Sequence, residues 1–461
     1  MNLDKIHSVY FVGIGGIGMS ALARWFNSRG AFVAGYDRVR TPLTSALIKE
    51  GIDIHFADSE ALIPDQCKDS KQTLVVYTPA IPDDHNELHY FDLNGFAVKK
   101  RSEVLGIITK DHYTVAVAGT HGKTTTSSMV AHLLHGSEKG CSAFVGGIMT
   151  NYGSNLINGD RDAPVVVEAD EFDRSFLRLN PNFSVVTSLD PDHLDIYGDS
   201  GEMHKSYLDF MQLTDPKGNI LLHENVAEKV GDTLSRAFST YGLESARIKA
   251  TNIRVSDGCF VFDYEGEVSI KDLRLQLPGF HNVSNAVAAI TAALHLQMTP
   301  EQISERIGTY KGVKRRFEYV IRRDDVVYID DYAHHPSEIQ ALLTSVRKLY
   351  PDKRITAVFQ PHLYTRTRDF QEGFAESLSA ADEVILLDIY PARELPILGI
   401  TSQVIFDKIN HSNKHHMQKE DFPGCLDDLK PEVLLTVGAG DIDQLVPLIK
   451  EYYLNNTSHE G

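Results

Sequence analysis

The sequence predicts an α/β protein of three domains in series, each built round a largely parallel sheet. Three observations carry that reading. The chain has 461 residues, too many for one core at roughly 150 residues per domain. Short apolar runs, such as residues 165–167 and 384–387, alternate with helical stretches, as strands covered on both faces by helices do. The pattern of strand, turn and helix also restarts twice, near Tyr113 and near Arg316.

The first domain, 1–108, reads as Rossmann-like. A strand at 9–12 leads into Gly13-Ile14-Gly15-Gly16-Ile17-Gly18, a helical pattern covers 19–28, and Gly30 closes it. A second strand at 32–35 runs toward Asp37, and a further buried strand is expected at 74–77. The second domain, 109–315, opens with a strand at 114–118, a turn at 119–122 and a helix at 123–135. Apolar strands at 165–167 and 184–189 end at Glu168 and Asp190. Residues 246–277 form a small β-rich part with turns at Asp257-Gly258 and Glu265-Gly266, and a helix follows at 282–296. The third domain, 316–461, is again a Rossmann-like α/β unit, with strands at 326–329, 355–359, 384–387 and 433–437. Pro336 suits the first turn of a helix that reaches 349. The tail beyond Tyr453 is expected to fray.

Composition narrows the function. The net charge is −18, from 63 acidic against 45 basic side chains. The basic residues, such as Lys99-Lys100-Arg101 and Arg315-Arg316, form no extended patch, so no nucleic acid partner is expected. A polyanionic substrate must then be held by local donors against the overall charge. Cys67, Cys141, Cys259 and Cys425 are scattered with no CxxC pair, which argues against a disulfide scaffold or structural zinc. No basic flank precedes an apolar run after Met1, and no stretch approaches the roughly 18 apolar residues of a membrane span. A cytoplasmic protein without membrane insertion is expected.

The sharpest motif is Gly119-Thr120-His121-Gly122-Lys123-Thr124-Thr125. Set between strand and helix, its glycines let backbone N–H groups approach phosphate oxygens, and the helix N-terminus favours the anion. Lys123 would reach the β- and γ-phosphates, and Thr124 would offer a hydroxyl to Mg²⁺. Val117 stands where the usual eight-residue pattern has Gly, so this is a shortened variant. The second domain thus reads as a P-loop ATPase domain with a parallel sheet and a small β-rich part. Glu168 and His193, near strand ends, are candidate magnesium ligands. The Gly13–Gly18 loop with Asp37 fits a dinucleotide or, equally, the diphosphate and ribose of a sugar nucleotide. Asn282 can serve an adenine edge or cap a helix. In the third domain, His334-His335 lacks the spacing of a metal site, and Arg366 is a natural carboxylate partner. Arg316 sits where it could reach a phosphate on domain closure.

Together, Gly119–Thr125, Glu168-Ala169-Asp170-Glu171, Asp192-His193, His281-Asn282, Arg316-Phe317-Glu318 and Asp330-Asp331-Tyr332-Ala333-His334-His335-Pro336 resemble, in order and over essentially the whole chain, the ATP-dependent Mur ligases of peptidoglycan synthesis. Gly13–Ser20 and Gln360-Pro361-His362-Leu363-Tyr364-Thr365-Arg366 are similar to its alanine-adding branch. The resemblance implies UDP-N-acetylmuramate and L-alanine as substrates, with ATP and Mg²⁺. It implies UDP at Gly15, Gly16, Ile17 and Gly18 with Asp37, and ATP at Gly119, Thr120, His121, Gly122, Lys123, Thr124 and Thr125. Thr124, Glu168 and His193 would hold magnesium, and Asn282 would contact adenine. Arg316 and Asp331 would contact phosphate and ribose, while Tyr332, His362 and Arg366 would shape the amino-acid pocket. Lys123, His193, Arg316, His334, His362 and Arg366 would carry the catalysis, with the base open among His334, His335, His362 and water. Lys205 is out of register with the carbamylated lysine of other branches. A monomer or weak homodimer is expected. The rival readings are an NAD-dependent oxidoreductase, a regulatory P-loop ATPase, and the tripeptide-recycling branch of the same family.

Overall fold

The computed structural model describes residues 3–82, 84–190, 197, 199–256, 258–392 and 394–456. The described strands form three sheets. The first holds β1 (Ser8–Val12), β2 (Phe32–Tyr36), β3 (Asp53–His55), β4 (Thr73–Tyr77) and β5 (Ala97–Lys100) in the order β3-β2-β1-β4-β5. All four pairings are parallel. Helix α1 (Ile17–Ser28) begins two residues before the expected 19, because Gly16 serves as its N-cap. Helix α2 (Pro42–Lys49) is started by a capping box between Thr41 and Thr44 and by Pro at its first turn. The edge strands β3 and β5 are partly exposed and lack an apolar run, which is why the sequence pattern missed them. Helices α3 (Asn86–Leu93) and α4 (Arg101–Lys110) complete this part.

The second sheet has ten strands. They are β6 (Thr114–Ala118), β7 (Ser142–Met149), β8 (Ser154–Ile157), β9 (Val165–Glu168), β10 (Phe183–Val186), β11 (Asn219–His223), β12 (Ser239–Gly242), β13 (Ile248–Ser256), β14 (Cys259–Glu265) and β15 (Ser269–Leu275). Their order is β15-β14-β13-β12-β11-β10-β6-β9-β7-β8. The strands from β7 through β13 pair in parallel, and β8 adds antiparallel on β7. Helix α5 (Lys123–His135) follows β6, as expected. Strand β10 stops at Val186, short of the expected 189. Thr187 and Ser188 instead turn their polar groups onto the loop after β6, with Thr187 N–H donating to Ala118 O at 2.9 Å and Thr187 Oγ1 donating to His121 O at 2.5 Å. Of the expected turn at 257–258, Asp257 lies outside the described residues, while Gly258 has φ +67°. The helix expected at 282–296 spans Phe280–His295.

The third sheet holds β16 (Glu318–Arg322), β17 (Val327–Asp331), β18 (Ile355–Phe359), β19 (Glu383–Leu386), β20 (Lys414–His416) and β21 (Val433–Val437), ordered β16-β17-β21-β18-β19-β20. Only β16 pairs antiparallel among these. The helix Pro336–Leu349 starts where Pro336 suggested, capped by His335 with Glu338 closing the capping box. The last helix runs to Asn455, past the point of expected fraying. Arg323 Nη1 donates to Tyr453 O at 3.2 Å and satisfies a terminal carbonyl.

The chain divides into two compact units. The first comprises Met1–Ile253, Phe262–Arg274 and Ser284–Tyr310, and the second Arg254–Val261, Leu275–Val283 and Lys311–Gly461. Within the first unit the β7–β8 hairpin packs on α1. Phe144 lies 6.3 Å from the Trp25 ring. Asn155, fully buried, forms the polar joint: its Nδ2 donates to Ile17 O at 2.5 Å and Ser20 Oγ at 3.0 Å, and its Oδ1 accepts from Arg24 Nη1 at 2.5 Å. Arg24 in turn chelates Glu50. Among the described residues no helix is long and apolar enough to cross a membrane.

Asn155→Ala would remove three hydrogen bonds at once, those to Ile17 O, Ser20 Oγ and Arg24 Nη1. It is expected to destabilise the first unit by about 2 kcal/mol, seen as a lower urea midpoint.

Candidate active site

The loop after β6 is shaped from both sides. Gly119 has φ +136°, and a Cβ there would lie 2.1 Å from Thr187 Oγ1 and 2.8 Å from the Ser188 nitrogen. No other residue fits that position. Ser188 Oγ accepts the His121 N–H at 2.7 Å and meets Thr120 Oγ1 at 2.9 Å. Thr120 Oγ1 also accepts the Asp190 N–H at 3.0 Å. These bonds hold the open turn that leads into α5, with Gly122 as its N-cap. Lys123 is the first residue of that helix, and its Nζ donates to Gly119 O at 2.6 Å and to Glu171 Oε1 at 2.8 Å. Glu171 is buried, and that burial pushes its carboxyl above the ordinary range even though Lys123 opposes the shift.

Glu168 ends β9, as expected. Its Oε1 accepts the Thr124 hydroxyl at 2.8 Å, and its Oε2 accepts the Gly146 N–H at 2.7 Å. A Cβ on Gly146 would collide with that carboxylate at 2.5 Å. Thr124 and Glu168 thus present two hard oxygen ligands together beside the phosphate loop, a donor set suited to Mg²⁺. The expected third ligand, His193, and its neighbour Asp192 lie outside the described residues. A second acid–imidazole cluster is formed by Asp58, His85 and Glu87, whose oxygens are hydrogen-bonded within the fold. Tyr10 Oη donates to Glu87 at 2.6 Å, Ser59 N–H donates to Glu87 at 3.0 Å, and Asn86 holds Asp58 twice at 2.9 Å.

In the first loop Gly15 N–H donates to Asp37 Oδ2 at 2.7 Å, so the loop and the acid expected at the ribose form one piece. A cavity of about 240 Å³ runs from this loop to the end of β9, lined by Gly16, Ile17, Gly18, Arg101, Glu168 and Asp170 among others. Arg101 was hidden in a basic triplet that reads as solvated charge. Gly146 and Asn155 carry no motif at all. The only signal for them was a Gly pair and an Asn in a stretch without clear periodicity.

The second unit gathers the expected aromatic and imidazole groups. Asp331 ends β17 and accepts the N–H groups of Phe317 at 2.6 Å and Ala333 at 2.8 Å. Burial pushes its pKa up to about 6. The guanidinium groups of Arg315 and Arg316 lie 5.1 and 5.9 Å from the Tyr332 ring. Tyr332 meets His334 at 5.3 Å, His334 meets His362 at 6.3 Å, and His362 stacks on Tyr390 at 5.9 Å. His362 Nδ1 is buried with no hydrogen-bond partner among the described residues. Burial, and then the charges of His334 and Arg366, lower its pKa to about 4. Burial lowers His334 as well, with Glu338 opposing. His335 caps its helix and bonds Ser337, a structural role. Asn282 is buried in the first turn of the helix Phe280–His295, its Nδ2 donating to Pro278 O at 2.6 Å.

Comparison with known proteins bears on this geometry. Residues 8–113 match the Mur ligase family, catalytic domain; residues 117–293 match the Mur ligase middle domain; residues 315–440 match the Mur ligase, glutamate ligase domain. The chain is 50% identical over 458 residues to the UDP-N-acetylmuramate–L-alanine ligase of Flavobacterium johnsoniae, covering 99% of this chain and 100% of that one. It is 49% identical over 451 residues to the enzyme of that name from Phocaeicola vulgatus, covering 97% and 98%. Among solved structures it is similar to the UDP-N-acetylmuramate-alanine ligase of Thermotoga maritima, with TM-score 0.82, 28% identity and coverage of 97% and 99%. The murein peptide ligase of Psychrobacter arcticus shares the fold at TM-score 0.67 and 21% identity, with 99% of each chain covered.

An NMR titration of His362 is expected to centre near 4, and Arg366→Ala should move it upward. The unfolded chain takes a proton near 6.5 that the folded ring refuses until about 4. Stability of the second unit should therefore fall as pH drops through that window, and His362→Gln should flatten the fall.

Proposed function

The chain belongs to the Mur ligase family, and from that membership we propose that it joins L-alanine to the lactyl carboxylate of UDP-N-acetylmuramate, converting ATP to ADP and phosphate, in peptidoglycan precursor synthesis. The observation that carries this reading is the cavity linking the Gly16–Gly18 loop to Glu168. It lets one substrate run from a diphosphate loop to the edge of an ATP loop. An oxidoreductase would leave the second loop idle, and a regulatory ATPase would leave the first. The tripeptide-adding branch is the nearer rival. Relatives of 50% and 49% identity bear the alanine-ligase name, while the murein peptide ligase is similar at 21%.

In this reading residues 1–108 bind the UDP-sugar, with Asp37 at its ribose. Residues 109–315 bind ATP, with Asn282 at the adenine. Residues 316–461 bind the amino acid, and Arg316 and Asp331 serve phosphate and ribose. The phosphates lie along the 119–122 backbone, and Lys123 exchanges Glu171 for the γ-phosphate. Thr124, Glu168 and His193 would hold Mg²⁺, which when bound neutralises charge on the β- and γ-phosphates. The lactyl carboxylate attacks the γ-phosphorus and ADP leaves, giving an acyl phosphate. The amine of alanine then attacks the carbonyl, and phosphate leaves from the tetrahedral adduct. Phosphoryl transfer asks the protein mainly for position and charge.

Arg366, whose charge acts on the His362 ring, would pair with the carboxylate of alanine. The His362 ring would lie beside its ammonium. With a pKa near 4 against about 8 for a free α-amino group, the ring orients the ammonium rather than taking its proton in the ground state. The proton passes more readily to water or leaves after attack, when the nitrogen is more acidic. The reaction is assigned to the cytoplasm, and the enzyme to a monomer or weak homodimer.

Phosphate release from ATP, Mg²⁺ and UDP-N-acetylmuramate should require L-alanine and should not be supported by the tripeptide. Release with the tripeptide alone would move the chain to the recycling branch. Release from ATP alone would favour the regulatory ATPase. Lys123→Ala should lower turnover by on the order of a thousandfold while the fold is kept, checked by circular dichroism.

A further inference from the structure

Arg101 opens α4 and lines the cavity beside Gly18. The contact is close: a Cβ on residue 18 would lie 2.8 Å from Arg101 Nη1 and 2.9 Å from its Cδ. The side chain is 23% exposed, and its charged contact is Asp170 Oδ2 at 3.5 Å from Nη2. Among the described residues the guanidinium makes no hydrogen bond, although Arg24, Arg306 and Arg354 each make several. A partly sequestered fork of five N–H donors therefore faces a cavity with one loose ion pair to hold it. Asp170 is itself 42% exposed, so that pair is weak.

We propose that Arg101 binds the diphosphate of the UDP-sugar, forming with the backbone of the 16–18 loop the two jaws of an anion clamp, and that Asp170 holds the guanidinium in place until the diphosphate takes it. The proposal rests on the function given above and adds a residue to it. Two points favour the diphosphate over the lactyl carboxylate. Arg101 lies against Gly18, at the end of the cavity where the sugar nucleotide's phosphates are assigned. The carboxylate must reach Glu168, whose Oε1 holds Thr124. A planar guanidinium matches two phosphate oxygens as well as it matches a carboxylate, so its position beside Gly18 decides between them. In a chain of net charge −18, such a donor is needed close to a dianion, because the overall field opposes its approach.

The test is calorimetric titration of the full chain with UDP, which carries the diphosphate and lacks the lactyl group. Arg101→Ala should weaken UDP by about ten- to a hundredfold, and Arg101→Lys should recover part of the loss. ATP affinity should stay within about twofold of the unaltered protein, and the Michaelis constant for the UDP-sugar should rise far more than kcat falls. Asp170→Asn should tighten UDP, since it removes the competing carboxylate. UDP affinity unchanged in Arg101→Ala, or UDP and ATP lost together, overturns the role of Arg101. Weaker or unchanged UDP binding in Asp170→Asn overturns the holding role of Asp170. Failure of the unaltered protein to bind UDP overturns the sugar-nucleotide reading itself, and the clamp with it. Should the alanine variant not fold, Arg101→Gln against Arg101→Lys makes the same comparison of charge at nearly constant size.

Discussion

Both oxygens of Glu168 are occupied, one by the Thr124 hydroxyl and one by the Gly146 N–H, and the geometry of the site follows from that clasp. It joins the end of β9, the start of α5 and the middle of β7. Hydrogen bonds to an ionised carboxylate are shorter and stronger than neutral ones, so three separate pieces of chain are held to one point. The hairpin that supplies Gly146 continues to Asn155, which grips the first turn of α1. A single hairpin therefore sets both anion loops of the first unit. Sites carried on strands and helix ends in this way are held more tightly than sites on free loops.

The electrostatics work on two scales. The whole chain is acidic, yet it must take up two polyanions. At physiological salt, exposed charges are screened beyond about 8 Å, so the distant excess of carboxylates matters less than donors at contact distance. Those donors are helix N-termini, glycine-lined backbone and single basic side chains. Acids of the first unit are themselves committed: Glu171 faces Lys123, and both oxygens of Glu168 are bonded.

Much of this was legible in the sequence, for definable reasons. The phosphate loop can be read because its glycines answer to sterics: at Gly119 a Cβ has no room. The buried parallel strands can be read because they are apolar on both faces. Glu168 and Asp331 stand out as acids at the ends of such strands. The remainder was hidden where function depends on pairing across the chain. Asn155 and Gly146 act through partners more than twenty residues away. Arg101 shares a charged triplet with Lys99 and Lys100, and only the close approach of Gly18 sets it apart. The ends of β10 and of the last helix moved because side-chain and carbonyl contacts overrode local pattern. The His193 segment lies outside the described residues, so its place rests on the sequence alone.

The first loop has a bearing on drug resistance. Gly15 and Gly18 sit close against neighbouring side chains, since a Cβ would meet Asp37 and Thr44 at 2.7 Å in the one case and Arg101 at 2.8 Å in the other. A compound that recognises only the backbone of this loop therefore touches atoms that point substitutions cannot remove, at positions where a larger residue must push a neighbour aside. Escape would have to arise at the side chains that line the cavity from the same turn, Ile17 and Met19. Met19 is almost fully buried and Ile17 is 37% exposed, so residue 17 is the place where a bacterium could change the lining at least cost to the core.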